Sequence, residues 1–298
     1  MNPLIFSIII PCFNSSQTIK RAIDSVINQV NLKNDFFNES IEIIIVDDVS
    51  DDVEDLEKKI KSYKSSNIKL IKLKSKSYGG GSRNIGVENS KGKYIAFLDS
   101  DDEFYLDKFE HIIKHISEEK DDLFIYSKVN SCYSDKKKEN NIPDNAIDNE
   151  SVSEYLFLNK GVIQTSSIVI SRKLFDKCRF NPTYIRHQDY DLCFKVGHEL
   201  GTNNFIFIDK PLVYWYQSKS TGAKKGANIE FINKWLKENE LYFTEDSYKG
   251  YMYNVYLPLI IENKKIKLFF KLAFKYRKFI PLIKYRKFIV SFIRTIRL

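Results

Sequence analysis

Cysteine and histidine are scarce in this chain, and long apolar runs are missing. The four cysteines (Cys12, Cys132, Cys178 and Cys193) are scattered and never form a Cys-x-x-Cys pair. That spacing offers no zinc signature and no disulfide framework, and it fits reduced, buried thiols in a cytosolic protein. His111 and His115 lie one helical turn apart, but no Glu follows the first, so the zinc-protease pattern is lacking. No stretch approaches the roughly 18–20 apolar residues needed to cross a bilayer. The first ten residues lack a basic leader and a small-residue cleavage site, which predicts no signal peptide. One further absence is local. Residues 264–298 contain no Asp or Glu but 12 Lys and Arg, whereas the preceding residues carry 35 basic and 39 acidic side chains. The formal net charge of +8 is therefore misleading as an average. The body does not read as nucleic-acid-binding, and the tail suits an anionic partner.

What is present is a repeated strand–helix unit, in a chain whose 43% hydrophobic content is enough to build a core. Residues 6–10 are an apolar run ending at Pro11. They are followed by apolar positions at Ile19, Ala22, Ile23, Val26 and Ile27, one face of a helix with Ser15 or Ser16 as its N-cap. Residues 41–46 read as a second strand stopping at Asp47 and Asp48, 51–65 as a charged helix, and 68–73 as a third strand. Gly79, Gly80 and Gly81 read as a flexible turn before a short helix through Arg83, Asn84 and Val87. Residues 94–98 form a fourth strand. This alternation predicts an α/β fold with a mostly parallel central sheet flanked by helices. Ligands in such sheets bind beyond the carboxyl ends of the strands. The ends at Pro11, Asp47 and Asp99 would converge on one crevice.

The run Lys-Tyr-Ile-Ala-Phe-Leu-Asp-Ser-Asp-Asp-Glu-Phe, residues 93–104, is the centre of the pattern. Asp99, Asp101 and Asp102 repel one another unless a cation lies between them. Hard divalent ions such as Mg²⁺ and Mn²⁺ prefer oxygen ligands and bridge carboxylates to phosphates. A polar turn with an Asp N-cap is the other reading of these residues. Beyond residue 104 the pattern predicts a helix over 105–118, strands over 123–129 and 164–170, and a helix starting at 172–178. Another helix runs to Leu200, strands follow at 205–208 and 212–216, and 229–261 is helical.

Five segments then match one family in order. Ser7-Ile-Ile-Ile-Pro-Cys-Phe-Asn14, the helix carrying Ser25 and Gln29, Val46-Asp-Asp-Val-Ser50, Arg83-Asn-Ile-Gly86 and Leu98-Asp-Ser-Asp-Asp102 resemble the motifs of family 2 glycosyltransferases. Those are inverting enzymes of the GT-A fold that use nucleotide-sugar donors. The resemblance implies a nucleoside diphosphate sugar pocket formed by Pro11, Phe13, Asn14, Asp48, Arg83, Asp99, Asp101 and Asp102. Within it, a divalent cation (Mn²⁺ or Mg²⁺) would sit at Asp101, helped by Asp99 or Asp102. His187-Gln-Asp-Tyr-Asp-Leu192 occupies the place of the family's Glu-Asp motif, making Asp189 the catalytic base, with Gln188 where Glu is usual and Asp191 as the competing candidate. Residues 214–220 lack the Arg and His that many relatives bring near the diphosphate, and Lys219, Lys224 and Lys225 are the nearby cations.

The expected organisation is a nucleotide-sugar-binding half (1–105), an acceptor-binding half (106–228), a helical region (229–263) and a basic amphipathic tail (264–298). Interleaved basic and apolar residues in the tail, including Lys271, Phe274, Lys275, Arg277, Lys278, Arg286 and Lys287, describe a helix lying on an anionic membrane surface. A helical pair folded onto the body is the competing reading of that tail. The expected reaction is transfer of a sugar, UDP-linked, to a glycan or lipid-linked glycan acceptor on the cytoplasmic face of the inner or plasma membrane. A non-catalytic nucleotide-sugar-binding scaffold is the alternative. A nucleotidyltransferase is disfavoured because Pro-Cys-Phe-Asn stands where a Gly-rich phosphate loop would follow the first strand.

Overall fold

Residues with apolar side chains on both faces need cover on both faces, and the two most apolar runs become the two inner strands of the parallel part of the sheet. These are β1 (Phe6–Cys12) and β2 (Ile41–Asp47), buried almost throughout. The structure, a computed structural model, describes residues 5–30, 39–116, 121–133, 140–217, 229–262 and 265–275. The other strands are β3 (Ile68–Lys72), β4 (Tyr94–Phe97), β5 (Glu103–Phe104), β6 (Phe124–Tyr133), β7 (Asn141–Ile142), β8 (Val169–Ser171) and β9 (Phe205–Gln217). They form one sheet in the order β3-β2-β1-β4-β8-β6-β9-β5, with β7 pairing β6. The first four run parallel, with Phe6 opposite Ile41 on one side and Tyr94 on the other. From β4 onward the sheet is mixed: β8 runs antiparallel to both β4 and β6, β9 parallel to β6, and β5 antiparallel to β9. Because β2 and β4 lie on opposite sides of β1, the strand order reverses between β1 and β4. Such a switch point opens a crevice at the carboxyl ends.

In the same unit the helices are α1 (Ile19–Ile27), α2 (Val53–Lys61), α3 (Tyr78–Glu88), α4 (Lys108–Ile113), α6 (Arg172–Cys178) and α7 (Gln188–Leu200). Helix α1 buries Ile19, Ala22, Ile23 and Val26, the face expected from their spacing. Its start differs from expectation. Ser15 and Ser16 belong to a preceding turn, Thr18 occupies the N-cap without its side chain accepting from the helix, and Ser16 N donates to Asp52 (2.8 Å).

Three further expectations are corrected. The triple glycine is not a turn but the first part of α3. A Cβ on Gly80 would come within 2.9 Å of the Asn181 carbonyl oxygen, and one on Gly79 within 2.8 Å of Gln188 Oε1. Glycine is therefore needed for close approach rather than for bending. Residues 164–170 are not one strand: Thr165–Ser167 make a 3₁₀ turn before the short β8. Residues 205–208 and 212–216 are one strand, because register shifts between Ser127 and Asn130 of β6 let β9 pass through Pro211 without losing its partner.

The chain divides into two compact units, residues 1–149 with 162–219, and residues 150–161 with 220–298. The sheet belongs to the first. The second contains α5 (Val152–Phe157), α8 (Ile229–Glu238), α9 (Glu245–Tyr251), a π turn (Met252–Tyr256), α10 (Leu257–Glu262) and α11 (Ile266–Lys275). Its core is aromatic. Tyr251 meets Phe157 edge-on at 5.0 Å between centroids, and Trp235 meets Phe243 edge-on at 5.9 Å. Ser151 and Thr244 begin α5 and α9 with reciprocal capping boxes. All four cysteines are buried thiols.

Candidate active site

The crevice at the switch point is a cleft of about 280 Å³, lined by Pro11, Cys12, Phe13, Ser15, Asp48, Gly79, Ser82, Asp99, Ser100 and Asp101. Three strand ends meet there, as the sequence implied. A larger hollow of about 380 Å³ lies beside α2 and β3. Its one carboxylate is already paired, with Glu57 bound to Lys61 (2.8 Å) and Lys72 (2.9 Å).

Asp48 follows β2 and is buried. Its carboxylate accepts from Ser77 N (2.6 Å) and Tyr78 N (3.0 Å), closing the N-terminus of α3. Lys76 donates to the Asp48 carbonyl (2.7 Å) and lies over the Phe13 ring. Phe13 is 46% exposed, so its ring is a platform beside the Asp48 carboxylate. Val49 and Tyr78, both at positive φ and both exposed, flank the same corner. For a β-branched residue such as Val49 that conformation is a genuine outlier. Asn14 is also left-handed, but its amide ties two loops together, accepting from Asp51 N (2.8 Å) and donating to Asp51 Oδ2 (3.2 Å).

The acidic turn after β4 rests on polar groups that sequence reasoning missed. Asp102 is buried and accepts from Ser166 Oγ (2.7 Å), Gln164 Nε2 (3.0 Å) and Tyr216 N (3.0 Å). Burial and the neighbouring Asp99 and Asp101 raise its pKa well above the carboxylate norm. Asp102 thus faces the protein, whereas Asp99 and Asp101 face the cleft. Helix α1 and the residues just after it hold this turn from the other side. Arg21 donates to the Asp101 carbonyl, Ser25 Oγ accepts from Phe104 N (3.0 Å), and Gln29 donates to the Tyr105 carbonyl (2.9 Å). Arg21 and Ser25, at i and i+4, share one face of the helix, and Gln29 lies just beyond its end. Lys108, fully buried, donates to the Ser166 carbonyl (3.1 Å), and desolvation lowers its pKa to about 7.

Asp101 stands at the lip of the cleft. Among the described residues no other side chain donates a hydrogen bond to its carboxylate. Desolvation by the cleft walls and the charge of Asp99 push its pKa up to about 6, against the pull of Arg21 and Arg83. Asp99 is engaged by Arg83 and, at 3.3 Å, by Gln164. Among the described residues no group of three or more His, Cys, Asp or Glu forms a ready metal cage. One open carboxylate beside a second still fits a hard divalent ion, since Mg²⁺ sites often combine one or two carboxylates with substrate phosphates and water.

Arg83 links the acidic turn to α7. It is buried, bonded to Asp99 and to Gln188 Oε1 (2.8 Å), so it sits in the wall and does not project into the cleft. Gln188 opens α7, whose N-cap His187 is left-handed (φ 61°) and buried. Desolvation lowers the His187 pKa to about 3, leaving it neutral. Asp189 lies in the first turn of the helix. Burial raises its pKa to about 6, the largest effect, while Tyr190 N (3.0 Å) and Arg83 favour its charged form. Asp191 is committed elsewhere, to Lys195 (2.8 Å) and Asn181 N (3.1 Å). The structure therefore joins Asp48, Asp99 and Asp101 in one cleft, whereas Asp189 does not line it: Arg83 ties the cleft wall to Gln188, the residue before Asp189. Lys219, Lys224, Lys225, Arg277, Lys278, Arg286 and Lys287 lie outside the described residues.

A carboxyl whose pKa burial raises to about 6 therefore follows the residue that Arg83 ties to the wall of a cleft whose lip carries an open carboxylate. The family model described as glycosyl transferase family 2 matches residues 7–179. Over 268 residues the chain is 35% identical to the amylovoran biosynthesis glycosyltransferase AmsB of Erwinia amylovora, covering 87% of this chain and 85% of AmsB. It is 26% identical to the poly(ribitol-phosphate) beta-N-acetylglucosaminyltransferase TarP of Staphylococcus aureus, over 80% of this chain and 74% of TarP. The crystal structure of S. aureus TarS 1-349 in complex with UDP-GlcNAc superposes with a TM-score of 0.57 at 17% identity, covering 98% of this chain and 81% of that one. Sheet order and switch-point cleft are those of the GT-A fold.

Proposed function

The chain belongs to glycosyl transferase family 2, and from that premise we propose that it moves a sugar from a UDP-linked donor to a glycan hydroxyl, with inversion. The observation carrying this reading is the meeting of Asp48, Asp99 and Asp101 in one cleft whose wall Arg83 ties to Gln188, the residue before Asp189. Relatives named for amylovoran and poly(ribitol-phosphate) chemistry, and a structural neighbour solved with UDP-GlcNAc, support a UDP donor and a cell-surface polysaccharide, lipooligosaccharide or lipid-linked oligosaccharide acceptor. The transferred group would be a hexosyl or N-acetylhexosaminyl unit.

Three tasks fall to named residues. Asp48 accepts a hydrogen bond from the nucleobase N–H through its remaining lone pairs, and the Phe13 ring provides the adjoining flat surface. Asp101, with Asp99 beside it, would hold a divalent ion (Mn²⁺ or Mg²⁺), which would stabilise charge on the departing diphosphate. Asp189 takes the proton of the acceptor hydroxyl as that oxygen bonds to the anomeric carbon. The bond from that carbon to the phosphate oxygen breaks, and UDP leaves with the electron pair. Arg83 and Asp102 orient these groups from within the wall.

Peripheral attachment to the cytoplasmic face of the membrane is part of the same reading. Helix α11 buries Phe269 and Ala273 and exposes Phe270 (58%), Phe274 (66%), Lys267, Lys271 and Lys275. Apolar rings beside a row of lysines suit an anionic bilayer surface, to which each basic residue contributes about 1 kcal/mol. No helix among the described residues is long and apolar enough to cross a membrane.

A thermal-shift screen of UDP, GDP, CDP and their sugars, with and without Mn²⁺, tests the donor reading. Stabilisation by UDP and UDP-sugars, enhanced by Mn²⁺, is the expected result, and a preference for GDP or CDP would overturn the UDP assignment. Sedimentation with phosphatidylglycerol vesicles tests the attachment, which should vanish on deleting residues 264–298.

A further inference from the structure

We propose that the outer edge of the sheet, at β3, docks an extended acidic segment of a partner protein, which adds to it as a further strand. β3 ends the strand order, and among the described residues it pairs only with β2. Its backbone groups alternate in direction. The Asn67 carbonyl accepts from Ile43 N (2.8 Å) and Leu73 N donates to the Asp47 carbonyl (2.9 Å), so residues of that parity face β2. Leu70 and Lys72, of the opposite parity, turn their N–H and C=O groups to the open side. Ile68 N, at the start of the strand, is closed off by the Ser65 carbonyl (3.4 Å). Such an edge is a template for main-chain pairing with another chain.

Side chains beside that edge select the occupant. The hollow of about 380 Å³ is lined from β3 by Ile68, Leu70 and Lys72, alternate residues on one face of the strand. From α2 it is lined by Glu57, Ile60 and Lys61, one helical face that Lys64 continues. Ile60 and Ile68 are buried and Leu70 is half-buried, which makes an apolar floor. Three lysines on the rim stand against one carboxylate, and Glu57 already pairs with two of them. Lys64 is exposed, and no carboxylate among the described residues pairs with it. An aliphatic side chain over the floor, with a carboxylate two residues to either side, matches this face. A second copy does not match it. Residues 68–74 read Ile-Lys-Leu-Ile-Lys-Leu-Lys, and two such strands side by side set lysine against lysine. The same charges that repel a like strand attract an acidic one.

The test uses the full chain and a blocked synthetic peptide, Thr-Glu-Thr-Val-Thr-Glu-Thr, whose two Glu and one Val share a face when extended. A second peptide with Lys in place of both Glu is the control. Binding is followed by calorimetry, and amide hydrogen exchange is read residue by residue by NMR with and without peptide. The acidic peptide should bind and the Lys peptide should not. At saturation, exchange of the Leu70 and Lys72 amides should slow by about tenfold or more, while those of Lys69 and Ile71, which face β2, stay as they were. Lys64→Glu, on an exposed side chain, should keep the melting temperature and weaken the acidic peptide by about fivefold. No binding of the acidic peptide, equal binding of both peptides, or binding without protection of Leu70 and Lys72 would each overturn the proposal. Self-association in sedimentation that protects the same two amides would assign the edge to a second copy instead. Sedimentation with phosphatidylglycerol vesicles that Lys64→Glu abolishes, with the acidic peptide unaffected, would assign the lysines to a lipid surface and overturn it as well.

Discussion

Glu42 and the acidic turn are carboxylates on one sheet, handled in opposite ways. Glu42 lies near the start of β2, opposite Ser7 in register, and is almost fully buried. Its oxygens accept from Ser7 Oγ (2.8 Å), Lys91 N and Lys69 (3.2 Å), and Ser7 in turn accepts from Gly92 N (2.7 Å). Burial opposes the charge of Glu42, but these donors outweigh it and its pKa falls. Across the sheet, Asp101 and Asp189 are both raised to about 6, with desolvation as the main cause. Where the fold only needs to hold itself together, the charge is compensated. Where we propose that chemistry occurs, charge is left in search of a proton, an ion or a substrate.

The largest test of this contrast is Asp189→Asn. Removing a general base should lower kcat by about 10²–10⁴-fold while leaving UDP affinity near wild type. Asp191→Asn should act differently, lowering the melting temperature through loss of the Lys195 pair (2.8 Å) and sparing turnover in the folded fraction. Reversal of those two outcomes would move the base to Asp191. Next in size is removal of the divalent ion. EDTA, or Asp101→Asn, should each reduce turnover by about 10²–10³-fold, with Mn²⁺ rescuing only the EDTA-treated wild type. Activity indifferent to EDTA would refute the ion's role.

The pH profile comes third. A base with a pKa raised to about 6 is active only when deprotonated. Below that pH, kcat/KM should therefore fall about tenfold per unit and level off above it, at saturating Mn²⁺. A flat profile from pH 5 to 8 would mean that Asp189 takes no proton in a rate-determining step. Glu42→Gln tests the other side of the comparison. It keeps the size but removes the charge to which Lys91 N and Lys69 donate, and should destabilise by about 1–3 kcal/mol with kcat unchanged. Denaturant melts and turnover on the same preparation measure both quantities.

The same contrast explains what the sequence disclosed. Apolar runs ending at Pro11, Asp47 and Asp99 announced the parallel strands and their shared end, because burial on both faces leaves no polar alternation to confuse the reading. Asp48, Asp101 and Asp189 were legible as acids where strands stop or a helix begins. The groups that orient them were not. Gln164 and Ser166 look like the start of a strand, and only the folded chain brings them to Asp102. Three consecutive glycines look like a hinge, since local propensity knows nothing of the Asn181 carbonyl or Gln188 that crowd α3. Residues 150–161 join the second unit through contacts with segments far along the chain, and their own composition gives no sign of it.

The smallest predicted effect is a gain in stability from the most damaging substitution. A carboxyl whose folded pKa lies above its unfolded value binds its proton more tightly in the native state. Its stabilising contribution is complete below the unfolded pKa and is lost as pH rises through the folded one. For Asp189 that window runs from the ordinary Asp range, 3.8, up to about 6. At pH 7.5 the wild type therefore carries a charge that its surroundings disfavour, and Asp189→Asn removes it. The variant should be more stable by about 1 kcal/mol at pH 7.5, and this advantage should shrink to nothing near pH 4. Glu42 runs the other way: its contribution is present above the ordinary Glu range and is lost as the medium acidifies through its lowered pKa, so Glu42→Gln should matter least in acid. Melting both variants and wild type across pH 4–8 gives two differences of opposite sign, each largest at neutral pH. A gap for Asp189→Asn that does not change with pH would show that Asp189 is not the strained group described here.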